Sequence, residues 1–370
     1  MPYCRKRGKK WYYTIEIGEG SARKKKEVPG GRTKAEAEKA YAVAMAKLQE
    51  EGFYIEPSKI TVDEFFTEWL ANDVAVNTHI NTHKSYSSIY RNHIKPTLGG
   101  HQLRLIRPKT LQNLLNDKKA EGLAESTLGS LRTIFKRAFV YACDICEYIP
   151  RNPAQNIRVP NVIKEKKVVL TFTPQQIDFL FQKFPPGHQF FLPMAISYHT
   201  GARVSECLAF TWADCNLEDK ELTVTKTVVV SDHSPIIQPV PKSSCSNRTL
   251  PFSDTLARIL KTEKAKQAAA RLRYGKYYHN NDLICCREDG SLMGPDDMRY
   301  FNMVAKGIAD GLSFHSLRHT HATMLLENGE DLELVSKRLG HSSVELTART
   351  YSHVLEKRKA QTIKRLNEIL

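Results

Sequence analysis

HSLRHTHATMLLENGEDLELVSKRLGHSSVELTARTY, residues 315–351, holds histidines, an arginine and a closing tyrosine at spacings suited to handling a phosphate. His315 and Arg318 stand three residues apart. If residues 316–329 are helical, the two side chains project from neighbouring points at the helix start. Leu317, Met324, Leu325 and Leu326 supply an apolar stripe, and Gly329 ends the helix. A second helix, DLELVSKRL, stops at Gly340, a natural left-handed terminator. His341 sits directly past that stop. Ser342 and Glu345 then have the spacing of a capping box, opening a third short helix that carries Tyr351.

The rest of the chain is long enough for two or three domains at 370 residues, and 41% hydrophobic content supports a proper core. A net charge of +15 points to a polyanionic partner, nucleic acid first. No apolar run approaches the roughly 20 residues of a membrane span, and MPYCRKRGKK lacks a signal-peptide apolar region, so the expected location is cytoplasmic. Cys143 and Cys146 form one CxxC without a second ligand pair, so the eight cysteines read as free thiols rather than a zinc site. There is no carboxylate cluster with two-metal spacing and no glycine-rich phosphate loop, so neither metal nor other cofactor is expected.

Residues 1–58 read as a small basic module. Its first 32 residues hold ten Lys/Arg and three acids. Trp11, Tyr13, Ile15 and Ile17 alternate as on one strand face, Gly18–Gly20 is a turn, and KKKEV begins another strand. Thr33 and Glu36 are a capping-box pair ahead of an alanine-rich helix. A basic sheet face with aromatics can lie in a DNA groove, and Arg5, Lys6, Arg7, Lys24 and Lys25 are candidate contacts. After a linker at 56–60, residues 59–162 carry helical periodicity throughout. Their polar faces present Lys84, Arg91, Arg132 and Lys136 as candidate phosphate contacts. A Pro-containing cationic linker spans 151–168, and residues 163–370 form the last domain. There, an apolar helical region breaks at Gly201. Arg203 follows, with Glu206 one turn on to hold it and leave its fork free for an anion. ELTVTKTVVV reads as one long strand, with PIIQPV and NRTLPF as two shorter ones. Lys242 lies in the connection PKSSCSN, where its ammonium could swing into a site; Lys226, inside the strand, is the alternative. HVLEKRKAQTIKRLNEIL after Tyr351 has an amphipathic helical pattern that suits packing on its own domain or on a neighbour.

TGARVSE, PKSSCSNRTLP, HSLRHTHATMLL and LGHSSVELTARTYSHV stand in this order in one chain. Together they closely resemble the tyrosine recombinase (phage integrase) family, and the two preceding modules resemble the arm-binding and core-binding domains of integrases of phages and integrative conjugative elements. The resemblance implies a multidomain, mainly α fold with small β-sheets: a sheet-plus-helix module at 1–58, an all-α core-binding domain at 59–162 and a mixed α+β catalytic domain at 163–370. It implies a site-specific recombinase that cleaves and rejoins DNA through a 3′-phosphotyrosyl intermediate, with chromosome-dimer resolution or a non-catalytic DNA-binding regulator as alternatives. It implies roles by position. Arg203 and Arg318 would clamp the scissile phosphate, Tyr351 would attack, and Lys242 would protonate the departing 5′ oxygen. His315 would act as acid/base, His341 would complete the pocket, and Glu206 would support Arg203. The implied partners are double-stranded DNA at core and arm sites, three further copies in a tetramer, an accessory excisionase and a host DNA-bending protein, all on the bacterial nucleoid.

Overall fold

The computed structural model describes residues 4–17, 24–51, 59–160, 169–231, 234–240, 247–356 and 358–359. The chain divides into two compact units, Met1–Ile163 and Lys164–Leu370.

The first unit begins with an antiparallel sheet of β1 (Cys4–Arg7), β2 (Lys10–Ile17) and β3 (Lys24–Gly31), in the order β1-β2-β3, backed by α1 (Lys34–Glu51). Alternation in β2 turns Tyr13 and Ile15 onto α1, where Ala37 and Ala44 are also buried. The helix sits close because Gly30 lacks a side chain: a Cβ there would stand 2.6 Å from the Ala37 Cα. The Thr33–Glu36 capping box forms as the spacing predicts, with Glu36 N–H donating to Thr33 Oγ1 at 3.2 Å and Arg32 N–H to the Glu36 carboxylate at 2.7 Å.

The helical part follows as α2 (Val62–Trp69), α3 (Ala75–Asn77), α4 (Ile80–Ile89), α5 (Lys95–Leu98), α6 (Pro108–Ala120) and α7 (Glu125–Asp144). Two wide π turns, Leu70–Val74 and Tyr90–Ile94, join α2 to α3 and α4 to α5. Both sit beside an aromatic cluster. Phe66 stacks on Tyr90 with centroids 5.0 Å apart, and Trp69 stacks on Tyr86 at 6.0 Å. Asp73, inside the first π turn, accepts the Trp69 indole N–H at 2.9 Å. Phe65, Phe66, Trp69, Phe135 and Phe139 are nearly or wholly without solvent exposure.

The second unit opens with α8 (Pro174–Lys183), α9 (Phe191–Thr200) and α10 (Val204–Cys207). A three-stranded antiparallel sheet has the order β4 (Cys215–Asn216), β5 (Glu221–Val224), β8 (Arg248–Pro251), and β6 (Lys226–Ser231) pairs with β7 (Ser234–Pro239) as a separate ribbon. The expected single strand over residues 221–230 is therefore two. The chain breaks at Thr225, whose hydroxyl donates to Asp214 Oδ1 at 3.0 Å, and Asp214 also takes the Lys226 ammonium at 2.9 Å. One half-buried carboxylate thus bends the strand out of its sheet. α11 (Asp254–Tyr274), α12 (Arg299–Ile308), α13 (His315–Glu327), α14 (Leu332–Leu339) and α15 (Val344–Thr350) complete the unit. The expected amphipathic helix after Tyr351 continues as a helical turn over residues 352–356, and residues 360–370 lie outside the described residues. Among the described residues no helix is long and apolar enough to cross a membrane.

Phe135 is fully buried in α7 against Phe139. Phe135→Ala should lower the stability of the Met1–Ile163 unit by about 3–5 kcal/mol through lost burial and a residual cavity, read as a shift in its denaturant midpoint.

Candidate active site

Two helices end on glycines in left-handed conformation: α9 at Gly201 (φ 74°) and α14 at Gly340 (φ 64°). At the end of α14 the Gly340 N–H donates to Lys337 O at 3.0 Å and the His341 N–H to Ser336 O at 3.1 Å. These two bonds make a Schellman closure. They leave the carbonyls of Leu339 and Gly340 without an intrahelical donor at the negative end of the helix. Arg318 spans both helix ends, donating Nη1 to Gly201 O at 2.8 Å and Nη2 to Leu339 O at 2.5 Å. Arg203 donates Nη2 to Gly340 O at 3.0 Å. Two guanidiniums 115 positions apart in sequence therefore meet on the end of α14, and Arg318 also reaches the end of α9. Any side chain at Gly201 would intrude: its Cβ would lie 2.8 Å from the His321 ring.

Glu206 is the carboxylate beneath them. It accepts from Arg203 Nη1 at 2.9 Å and from the Arg203 backbone N–H at 2.8 Å. A third arginine, Arg248 at the start of β8, donates Nη1 and Nη2 to the two Glu206 oxygens at 3.1 and 2.8 Å, and Nε to Arg338 O at 2.7 Å. Burial would raise the Glu206 pKa, but the Arg248 hydrogen bonds and charge, with Arg203 behind them, win and bring it down to about 2. Arg318 is 1% exposed. Burial presses against its charge, and Arg203 adds like-charge repulsion that Glu206 only partly relieves. A guanidinium does not discharge, so this cluster is a buried excess of positive charge built to receive an anion.

Tyr351 caps the end of α15 and has no solvent exposure. Its hydroxyl lies 2.8 Å from His319 Nδ1. Burial pushes the phenol up to about 12, against a downward pull from Arg318. His315 is exposed at the start of α13, and its ring meets that of His319 edge-to-face at 4.7 Å. His341 Nδ1 bonds Thr347 Oγ1 at 2.7 Å, and burial, then the charges of Arg318 and Arg203, brings its pKa down to about 4.

Of the residues singled out in the sequence, Arg203, Glu206, His315, Arg318, His341 and Tyr351 gather in this cluster. Lys242 lies outside the described residues. Lys226 is held by Asp214 and by Thr211 Oγ1, each at 2.9 Å. Sequence reasoning passed over two members. His319 was signalled by its one-turn spacing from His315. Arg248 was read only as part of a strand, and no local pattern marks it as the second partner of Glu206. Two local readings change. The N-cap of α15 is Ser343, not Ser342, with Ser343 Oγ accepting from Leu346 N–H at 3.3 Å. α13 is buried on most sides rather than along one stripe, because Arg318, Thr320 and His321 are buried as well, while Met324 is 38% exposed. Among the described residues no group of three or more His, Cys, Asp or Glu side chains is placed to hold a metal.

The candidate DNA contacts are spread over the first unit. Arg5 pairs with Glu27 at 2.6 Å and Arg7 with the same carboxylate at 3.4 Å. Lys6 and Lys25 are exposed on β1 and β3, and Lys24 begins β3. Lys84 and Arg91 are exposed and Lys136 half-buried. Arg132 is turned inward, donating Nε to Ile157 O at 3.1 Å.

His321, beside the cluster, is 5% exposed. Its Nδ1 bonds Tyr198 O at 2.9 Å and its Nε2 accepts from Arg338 Nε at 2.9 Å, an arrangement that requires the neutral ring. Burial, then Arg338, lowers its pKa to about 3, against about 6.5 when unfolded. Between those values the unfolded chain binds a proton that the folded chain refuses. Stability should be full above about pH 6.5 and fall below it, by up to about 1.4 kcal/mol per pH unit from this group. Denaturant midpoints from pH 7 to pH 5 check this, and His321→Gln should flatten the slope.

Residues 174–358, half of the chain, match the Phage integrase family, and residues 61–119 match the Phage integrase N-terminal SAM-like domain. A tyrosine recombinase XerC-like protein of Caldanaerobacter subterraneus is 29% identical over 98% of this chain and 97% of its own. The ICEBs1 integrase of Bacillus subtilis is 22% identical over 80% of each chain. The fold is shared with the Tn1549 transposon integrase, solved with transposon right-end DNA, at TM-score 0.67 and 18% identity over 83% of this chain and all of that one. It is also shared with lambda integrase, solved as a tetramer on a Holliday junction, at TM-score 0.56 and 19% identity over 92% of each. The chain belongs to the phage integrase family and is a tyrosine recombinase, an enzyme that breaks and rejoins DNA.

Proposed function

We propose that this recombinase is the integrase of a phage or conjugative element, that Tyr351 is its nucleophile, and that Arg203 and Arg318 hold the scissile phosphate. The observation that carries the reading is the common anchoring of those two guanidiniums on the end of α14, with the Tyr351 phenol in the same cluster. A phosphodiester approaching its transition state gathers charge on its equatorial oxygens, and two fixed cations stabilise it there without reorganising. Tyr351 Oη forms a bond to phosphorus as the 5′ oxygen leaves. The 3′-phosphotyrosyl ester keeps the linkage activated, so a second 5′-hydroxyl can reverse the step without ATP. Lys242 is assigned as the acid that protonates the departing oxygen. Lys226 is tied to Asp214 and Thr211, which favours that choice. His315, exposed at the helix start, is assigned to acid/base assistance and His341 to the pocket wall, while Glu206 positions Arg203.

Residues 1–58 are assigned to arm-site DNA, 59–162 to the core site and 163–370 to catalysis. The working assembly is a tetramer on paired sites in the cytoplasm, assisted by an excisionase and a host DNA-bending protein. Tyr351→Phe should abolish covalent protein–DNA adducts on a nicked core site while DNA affinity stays within about twofold, since a lone phenol oxygen adds little to a phosphate-dominated interface. Adducts that persist would assign the nucleophile elsewhere.

Chromosome-dimer resolution is the second reading, favoured by the full-length likeness to the XerC-like relative. The sheet module separates the two. Removing residues 1–58 should abolish recombination on arm-bearing sites and spare cleavage of the isolated core site. A resolvase needs no arm sites and would recombine paired core sites unchanged.

A further inference from the structure

We propose that His319 is the group that takes the phenolic proton when Tyr351 attacks. This deepens, and rests on, the reading of Tyr351 as nucleophile.

Among the described residues the Tyr351 hydroxyl has one hydrogen bond, 2.8 Å to His319 Nδ1. The phenol is fully buried, and a buried O–H without an acceptor is costly. The phenol must therefore donate, and His319 Nδ1 must accept, with the ring proton on Nε2. A neutral imidazole is required for that. The groups facing the ring supply the reason it is neutral: His315 and Arg318 from its own helix, and His341 from the corner after α14. Burial and these neighbours bring the His319 pKa down to about 3. The ring is held in orientation by His315, packed edge-to-face at 88°.

The step balances. The Tyr351 Oη–P bond forms while the P–O5′ bond breaks. The phenolic proton passes to His319 Nδ1, giving an imidazolium, and the 5′ oxygen takes a separate proton from the general acid. The incoming phosphate supplies the negative charge that the resting site lacks, so the imidazolium becomes tolerable only with DNA bound. In the reverse step the same nitrogen returns the proton to the phenol. His315, one turn away and exposed, is left free for the leaving-group side.

The test uses the full chain with a nicked duplex bearing its element's own junction sequence. His319→Asn places Oδ1 where Nδ1 stood, so it can still accept the phenol hydrogen but cannot carry the proton away. Loss of a general base predicts cleavage slower by about 10²–10⁴-fold, with DNA affinity retained. The defect should remain on a substrate whose leaving oxygen is replaced by sulfur, because a thiolate departs without an acid; a variant that had lost the general acid would recover on that substrate. His319→Ala should regain cleavage on addition of imidazole. Cleavage by His319→Asn at the wild-type rate, or its recovery on the sulfur substrate, would overturn the assignment. Should both variants lose DNA binding, ¹⁵N-histidine spectra of the wild type and Tyr351→Phe decide. One ring nitrogen must lose the shift of a hydrogen-bonded acceptor when the hydroxyl is removed, and identical spectra overturn the proposal. Adducts formed by Tyr351→Phe would sink the nucleophile reading instead, so the two failures are distinct.

Discussion

Three hydrogen bonds from guanidinium nitrogens to helix-terminal carbonyls organise the second unit. Gly201, Leu339 and Gly340 offer those carbonyls because their helices stop there, and the stops exist because Gly201 and Gly340 adopt left-handed backbone that other residues resist. The ends of α9 and α14 thereby fix the direction of Arg318 while leaving its charge without a counter-ion. A carboxylate would have oriented it as well, but would also have neutralised it.

Glu206 is the one place where neutralisation is allowed, and it is shared. Arg248 occupies both of its oxygens while Arg203 takes one plus a backbone contact. One negative charge thus serves two cations, and Arg318 stands on carbonyls alone. The histidines around them are pressed toward neutrality by burial first and then by the neighbouring positive charges. The site therefore separates its tasks: arginines hold permanent charge, and imidazoles are kept neutral.

Much of this was legible in the residues. Glycine after an apolar helical run marked both helix ends, and the order of the four motifs was specific enough to name the family from them. The Thr33 cap formed where the spacing placed it. What escaped depended on contacts between distant segments. Arg248 is 42 positions from its carboxylate, so no local periodicity could reveal it. The break at Thr225 is imposed by Asp214, not by any breaker residue; the β-branched run around it favours an unbroken strand. Ser342 and Ser343 are adjacent and chemically equal as caps, and only the packed corner around His341 chooses between them.

The two π turns of the first unit carry a consequence for how its sequence can change over time. Each holds one residue more than an α-helical path needs, and the surplus residues face an aromatic cluster built from both helices. Dropping a residue from Leu70–Val74 alone would wind that helix into regular form but rotate everything beyond it by about 100°. Asp73 would then swing away from the indole it accepts from. The extra residue in Leu70–Val74 is thus locked in by the side chain beside it, and the length of this helix is fixed by one indole contact rather than by the helix's own backbone.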